Sequence, residues 1–263
     1  MLEVNNVCVS FRSERQEKIF GTARNQVLFD VSLKVSQGTC LGILGESGSG
    51  KSTLGRVICG LLKPDTGEVK IQDVSVYASR NGRKNLQKRL SVVFQDYTTS
   101  ANPRFRVKEI IAEGLAARER NQKIRLNRLE EINRLLELVG LNSSYANRYP
   151  HELSGGTLQR VMIALTILQR PELIIADEIT TAVDAASEYL ILNELEKLRR
   201  AGVSMIVVTH DFGVAARLCD RVAVMKDGEI IEEGKTREVF SDPQHEYTRQ
   251  LVQASVLFQE ELC

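Results

Sequence analysis

The sequence of 263 residues has no hydrophobic run long enough to cross a membrane. Its apolar stretches, such as 173–176 and 205–208, are much shorter than the about 20 residues that a membrane-spanning helix needs. The first residues, 1–4, include neither the basic segment nor the apolar segment of a secretory signal. The sequence therefore predicts a chain that is neither secreted nor inserted into a bilayer.

The chain has few cysteines and almost no net charge. These two properties disfavour a protein held by disulfides or a metal cluster and a protein that binds nucleic acid. The five cysteines, at positions 8, 40, 59, 219 and 263, are odd in number and form no C-x-x-C pair. This pattern predicts reduced thiols rather than disulfides or a metal cluster. The 35 basic and 34 acidic residues leave a net charge of +1, which argues against a dedicated nucleic-acid-binding protein.

The first half of the chain changes from strand patterns to helix patterns. Strands are predicted from β-branched content at 4–11, 27–35 and 68–76. The polar, basic stretch 12–25 is interpreted as an excursion at a sheet edge. Apolar residues at helical spacing predict helix across 107–139, with a stop at Gly140. These apolar residues are Ile124, Leu129, Ile132, Leu135, Leu136 and Val139.

The second half returns to alternating helices and short strands, without internal repeats. Strands are predicted at 173–176 and 205–208, and a hairpin joins 223–225 to 229–231. The length suits one large α/β domain or a core with a smaller subdomain. We expect a parallel-sheet core interrupted by a helical subdomain.

Residues 45–52, Gly-Glu-Ser-Gly-Ser-Gly-Lys-Ser, fit the phosphate-binding pattern G-x-x-x-x-G-K-[ST]. In this pattern, Lys51 reaches the β- and γ-phosphates and the Ser52 hydroxyl lies on Mg²⁺. The alternative is an ordinary glycine-rich turn. An apolar strand at 40–44 and the start of a helix at 53–58 favour the phosphate loop.

Residues 172–178 form an apolar strand that ends in two acids. An aspartate at such a strand end holds Mg²⁺ in phosphate-loop enzymes, which predicts this role for Asp177. Glu178 is then placed to polarise the attacking water. In isolation the two acids are equally consistent with exposed groups that cap a strand.

His210 and Gln95 each follow a short apolar strand. A lone histidine is more often structural, but ligands of open α/β sheets bind at the carboxyl ends of strands. We therefore predict a contact between His210 and the γ-phosphate. Gln95 is expected to sense Mg²⁺ or the attacking water.

The stretch 153–160 places a serine and two glycines directly before a helix. A helix start of this kind is a second anion-binding site, and one nucleotide does not need two such loops from one subunit. The economical arrangement is a head-to-tail dimer in which each loop closes over the partner's ATP. The alternative is that Ser154 only caps the helix.

Together these motifs resemble those of ABC transporter nucleotide-binding subunits over essentially the whole chain. The Walker A loop corresponds to 45–52, the Q-loop to Gln95, the signature to 153–160, Walker B to 173–178, the D-loop to 182–184 and the switch histidine to His210. Phe11 matches the aromatic position that stacks on adenine in that family, as aromatic faces commonly stack on bases.

The resemblance implies ATP and Mg²⁺ as cofactors and a role for each matched residue. The catalytic residues would be Gln95, Glu178 and His210. The nucleotide contacts would be Phe11, Gly45, Glu46, Ser47, Gly48, Ser49, Gly50, Lys51, Ser52, Thr53, Ser154, Gly155, Gly156 and Asp184. The metal ligands would be Ser52, Gln95 and Asp177. Two departures from the family pattern are Thr157, where a long residue is common, and Ile179, where proline is usual.

Two segments narrow the branch of the family. Residues 94–104 are similar to the Q-loop segment of peptide and nickel importers, and 242–251 to their C-terminal H-x-Y-T-R-x-L element. The length resembles the shorter nickel-import ATPases, so the expected function is ATP-driven import of nickel or a nickel chelate. The alternatives are a di- or oligopeptide importer and a soluble ABC ATPase that acts on nucleic acid.

The resemblance also implies an architecture and partners. The expected fold is α/β, with a phosphate-loop core (1–95 and 159–240), an antiparallel β portion, an inserted helical subdomain (96–158) and a short C-terminal element (241–263). The expected partners are a second ATPase subunit in a heterodimer, two transmembrane permeases and an external substrate-binding protein. The chain would then lie at the cytoplasmic face of the inner membrane, peripherally bound through the permeases and without nucleic acid.

Overall fold

The structure, a computed structural model, describes residues 1–17, 22–93, 101–180 and 184–260. Within these ranges the chain forms ten strands and nine α-helices. The strands are β1 Leu2–Glu17, β2 Thr22–Val35, β3 Cys40–Leu44, β4 Thr66–Ile71, β5 Val74–Ser75, β6 Leu90–Val93, β7 Leu173–Asp177, β8 Ser204–Val208, β9 Arg221–Lys226 and β10 Glu229–Lys235. The helices are α1 Lys51–Ile58, α2 Arg80–Arg89, α3 Val107–Gln122, α4 Arg128–Leu138, α5 Gly155–Leu168, α6 Ala185–Arg200, α7 Phe212–Leu218, α8 Thr236–Ser241 and α9 Glu246–Glu260.

The larger sheet has six strands in the order β10-β9-β3-β8-β7-β6. All pairs are parallel except β9 with β10, which form the predicted hairpin. Its turn is Asp227-Gly228, both with positive φ, the conformation of the tight hairpin turns that suit twisted strands. Strands β3 and β8 are buried along their whole length, as expected for parallel strands covered on both faces.

Side chains alternate between two hydrophobic cores, one on each face of this sheet. Leu41 and Ile43 point into a core shared with α1 and the smaller sheet. Cys40 and Leu44 point into the opposite core, which is built with helices α3 to α9. Because successive side chains of a strand point to opposite faces, the sheet is packed between two hydrophobic layers.

The smaller sheet is antiparallel, in the order β2-β1-β4-β5. Strand β2 is an edge strand of this sheet, and the described part of 12–25, predicted as an excursion at a sheet edge, extends the β1–β2 pair. Strands β1 and β2 continue pairing through Arg12 opposite Arg24 and on to Glu17 opposite Thr22. Pairing satisfies the backbone there although the side chains are polar, and Arg24 also forms an ion pair of 3.0 Å with Asp65.

Helices α3 and α4 and two 3-10 turns, at 143–147 and 150–152, lie between β6 and α5. The predicted apolar positions Leu135 and Leu136 are fully buried, but Leu129 is 71% exposed. The helical spacing is interrupted, because α3 ends at Gln122 and is followed by Lys123 in a left-handed conformation (φ 54°). Helix α4 then begins after Asn127, which caps it. Gly140 follows α4 with a φ of 69°, as predicted for a helix stop.

None of the helices in the described ranges has both the length and the apolar character that a bilayer crossing requires. Several of the predicted site residues lie at one edge of the six-stranded sheet. Gly45 follows β3, Asp177 ends β7 and His210 comes two residues after β8. This is the carboxyl edge, where open α/β sheets bind ligands.

Candidate functional site

The loop at 45–50 leads directly into α1 and presents backbone amides at the start of that helix. Gly50 is the N-cap residue, with a φ of 101°, and its carbonyl accepts the Leu54 amide at 2.9 Å. The first turn of α1 contains no acidic residue. Free amides and the positive end of the helix dipole make this terminus suitable for a phosphate group.

The loop is held from outside by the β9–β10 turn. The Gly228 amide donates to the Ser49 carbonyl at 3.1 Å, and the Gly228 carbonyl accepts the Phe29 amide at 3.0 Å. The Met225 carbonyl lies so close to Gly45 that a Cβ there would be 2.3 Å away. The β9–β10 turn, which is itself bonded to Phe29 on β2, therefore supports the loop from a distant part of the sequence.

This support gives a prediction for Gly228. A Cβ at Gly228 would lie 2.2 Å from the Val27 carbonyl oxygen, whereas a Cβ at Gly202 would meet nothing within 4 Å. Both glycines have left-handed φ values, 86° and 91°, so alanine at either position carries a backbone cost of about 1–2 kcal/mol. We expect G228A to lower both the thermal midpoint and the ATP affinity, and G202A to lower the midpoint less and leave ATP affinity unchanged. Thermal denaturation and ATP titration of both variants would check this, and equal effects would contradict the support assigned to Gly228.

Lys51 is buried at the base of the loop. Its Nζ donates to the carbonyls of Gly45 and Glu46, each at 2.6 Å. Burial lowers the pKa of Lys51, while the negative charges of Glu178, Asp177 and Glu46 oppose this change. The lysine is thus a desolvated cation whose present partners are neutral carbonyls, which a phosphate can replace.

Asp177 lies beside Ser52 at the start of α1. Burial and the neighbouring Glu178 raise the pKa of Asp177, against the charges of Lys51 and Arg56 and a hydrogen bond from Ser52. The Asp177 Oδ1 atom is buried and has no hydrogen-bond partner among the described residues. A buried, unpaired carboxylate oxygen next to a hydroxyl is the donor set that Mg²⁺ prefers.

Glu178 follows Asp177 in a left-handed backbone conformation, with a φ of 49°. Its amide donates to the Val208 carbonyl at 2.9 Å, which ties the end of β7 to β8. Its Oε1 lies 3.3 Å from Nδ1 of His210, whose side chain is largely exposed. The conformation costs about 1–2 kcal/mol, and strain of this kind concentrates at functional sites.

Ser154 and Asp184 belong to a second cluster, at the starts of α5 and α6. Ser154 Oγ accepts the Thr157 amide at 3.3 Å and lies 2.9 Å from Thr157 Oγ1. Asp184 accepts both the amide and the hydroxyl of Ser187, at 2.9 and 2.7 Å. A Cβ at Gly156 would lie 2.9 Å from Ser187 Oγ, so the two helix starts touch. Both predicted contact residues are therefore helix caps in this structure.

The family model described as ABC transporter matches residues 28–181 of the chain. The chain belongs to the ABC transporter family. As a member of it, the chain is an ATPase that binds ATP and ADP and couples ATP hydrolysis to transport. The α/β phosphate-loop fold with a helical subdomain, expected from the sequence, is confirmed.

Named relatives and a solved structure support this assignment. The oligopeptide transport ATP-binding protein OppF of Bacillus subtilis is 38% identical over 228 residues, which cover 86% of this chain and 74% of that protein. A putative peptide import ATP-binding protein of Brucella abortus is 41% identical over 226 residues, 84% of this chain and 67% of its own. The ATP-binding cassette MJ0796, solved as a dimer in a post-hydrolysis state with ADP and Pi, superposes with a TM-score of 0.78 at 30% identity and covers 90% of this chain and 99% of its own.

The remaining predicted site residues of this ABC ATPase fall into two groups. Gln95 lies outside the described residues, as do positions 182 and 183 of the D-loop. Phe11 is 41% exposed on β1, opposite Asn25 on β2, so its ring is accessible. The structure also locates the two residues that depart from the family pattern. Thr157 takes part in the cap of α5, and Ile179 is buried in the helical core.

One residue that contacts the site of the ABC ATPase was missed by sequence reasoning. Tyr247, near the start of α9, accepts the Glu46 amide through its hydroxyl at 3.2 Å. The H-x-Y-T-R-x-L element contains this tyrosine, but the pattern only indicates the branch of the family. A contact between residues 201 positions apart in the sequence needs the folded structure to be seen.

Proposed function

We propose that this ABC ATPase powers the import of peptides, with oligopeptides as the class of cargo. The observation that carries the proposal is the 38% identity to an oligopeptide transport ATPase over 86% of this chain. The second relative, named for peptide import, supports the same cargo. These names favour the peptide alternative and give no support to the expected nickel or nickel chelate.

The site residues suit ATP hydrolysis. The amides of the loop and Lys51 would hold the phosphates, and Ser52 and Asp177 would hold Mg²⁺. Mg²⁺ would neutralise charge on the phosphate oxygens. Gln95, which lies outside the described residues, is proposed as a further ligand of the metal. Glu178 would accept a proton from the attacking water, and His210, beside it, would contact the γ-phosphate.

The second cluster would act on a partner subunit's nucleotide. Ser154, Gly155 and Gly156 lie at the positively polarised start of α5, which suits a phosphate. The dimeric form of MJ0796 supports a dimer of cassettes, and we propose a heterodimer with a second ATPase. Two transmembrane permeases would hold the pair at the cytoplasmic face of the membrane, and an external substrate-binding protein would supply the cargo.

The cargo is tested by uptake in cells that lack the native gene and carry either the native chain or E178Q. We expect labelled di- and oligopeptides to accumulate only with the native chain, because hydrolysis drives transport. Uptake of labelled nickel, with and without histidine as a chelator, should be equal in the two strains. E172Q, altered at an exposed acid at the start of the same strand, is the matched control and should transport normally. Loss of nickel uptake with unchanged peptide uptake would overturn the peptide proposal.

A further inference from the structure

Tyr247 connects the C-terminal helix to the phosphate loop. Its side chain is only 8% exposed, and its hydroxyl accepts the Glu46 amide at 3.2 Å. Glu46 is the second residue of the loop, and its amide is a donor that must find an acceptor when it is removed from water. Tyr247 supplies that acceptor.

The same peptide group also contacts Lys51. The amide of Glu46 and the carbonyl of Gly45 belong to one peptide unit. This carbonyl accepts Lys51 Nζ at 2.6 Å, while the amide donates to Tyr247. The C=O and N–H groups of a trans peptide point in opposite directions within its plane, so the two contacts hold opposite edges of this peptide unit. Hydrogen bonds in such a chain polarise and strengthen one another, so the orientation of the plane depends on both.

Tyr247 is itself held firmly in place. Glu232, on β10, accepts the amides of Gln244 and His245 at 2.8 and 3.1 Å, immediately before α9 begins. A carboxylate at this position satisfies free amides and favours the positive end of the helix. The Tyr247 amide donates to His245 Nδ1 at 3.1 Å. Lys226 Nζ lies 4.8 Å from the centroid of the tyrosine ring, a favourable cation–π distance.

We propose that Tyr247 is a positioning residue that fixes the Gly45–Glu46 peptide plane and, through it, sets Lys51 and the loop amides for the phosphates of the nucleotide. The inference rests on the nucleotide-binding role proposed for loop 45–52 and is independent of the transported cargo. The proposal also gives the H-x-Y-T-R-x-L element a role in the ATPase, namely the positioning of the phosphate loop.

The test compares Y247F with Y145F in the 263-residue chain. Y247F removes the hydroxyl and keeps the ring, and Y145F makes the same change in the helical region between α4 and α5. Removal of one neutral hydrogen bond predicts ADP and ATP affinities about 2-fold to 10-fold weaker in Y247F. The KM for ATP should rise by a similar factor with kcat nearly unchanged, because the hydroxyl does not touch the reacting atoms. Y145F should match the native chain in all of these values.

Hydrogen exchange of the nucleotide-free chain provides an independent measurement. We expect amides in a peptide covering 45–52 to exchange faster in Y247F than in the native chain and in Y145F. K226M keeps the hydroxyl and removes only the cation–π contact with the ring, so its effects on exchange and affinity should be smaller than those of Y247F. Unchanged exchange in Y247F, or faster exchange with unchanged nucleotide affinity, would overturn the positioning role. Failure of the native chain to bind ATP would instead contradict the function proposed for the loop, and the exchange comparison would still test the contact.

Discussion

Replacement of Glu178 by glutamine is expected to lower the rate of ATP hydrolysis by about 100-fold to 10,000-fold, the usual contribution of a general base. Glutamine has nearly the same shape, so the contact with His210, 3.3 Å away in the native chain, can persist, but an amide cannot accept the proton of the attacking water. ATP binding should stay close to native. Phosphate release at saturating ATP measures the first effect, and equilibrium titration with ATP measures the second.

Glu172 provides the control for this prediction. It lies just before the first residue of β7, whereas Glu178 follows the last, and its carboxylate is paired with Arg89 at 2.7 Å. E172Q should hydrolyse ATP at the native rate, since the change is remote from the loop. Native hydrolysis by E178Q, or an equal loss in both variants, would refute the role given to Glu178.

Replacement of Asp177 by asparagine is expected to have two opposite effects. Hydrolysis should fall to near background, because the carboxylate that would hold Mg²⁺ is lost.

The nucleotide-free chain should become more stable. The raised pKa of Asp177 means that the folded state favours the protonated form, so stability falls as pH rises through the folded pKa. At pH 8 the neutral asparagine avoids that cost, with an expected gain of the order of 1 kcal/mol in the free energy of unfolding.

Urea unfolding at pH 8 in the presence of a chelator measures this gain, and the same experiment at low pH should show it shrink. Asp65 is the control of opposite sign. Hydrogen bonds from Ser10 and the charge of Arg24 lower the pKa of Asp65, so D65N should reduce stability at pH 8. A D177N chain that is no more stable than the native chain would contradict the electrostatic cost assigned to Asp177.

Several parts of this fold could be predicted from local pattern alone. The buried strands β7 and β8 and the β9–β10 hairpin are encoded in consecutive residues, so composition and the Asp-Gly turn identify them. The phosphate loop is equally local, since its glycines and Lys51 are neighbours in sequence. Such features need no knowledge of the rest of the chain.

Other parts of the fold could not be predicted, because contacts with distant segments of the chain override the local sequence pattern. Ile124 and Leu129 continue an apolar spacing, yet both are exposed because the turn at Lys123 changes the phase between two helices. Residues 12–17 are polar, so their composition does not predict a strand, but β2 pairs with them as far as Glu17. The contact of Tyr247 with the loop arises from tertiary packing. The spacing of apolar residues along the sequence does not predict such a contact.

The separation in sequence between the loop and Tyr247 also affects when their contact can form during protein synthesis. Glu46 leaves the ribosome 201 residues ahead of its hydrogen-bond acceptor. At translation rates of about 5–20 residues per second, the nascent loop spends about 10–40 s without that acceptor. The loop arrangement that we propose for nucleotide binding is therefore expected to form only after the strands of both sheets have been synthesised.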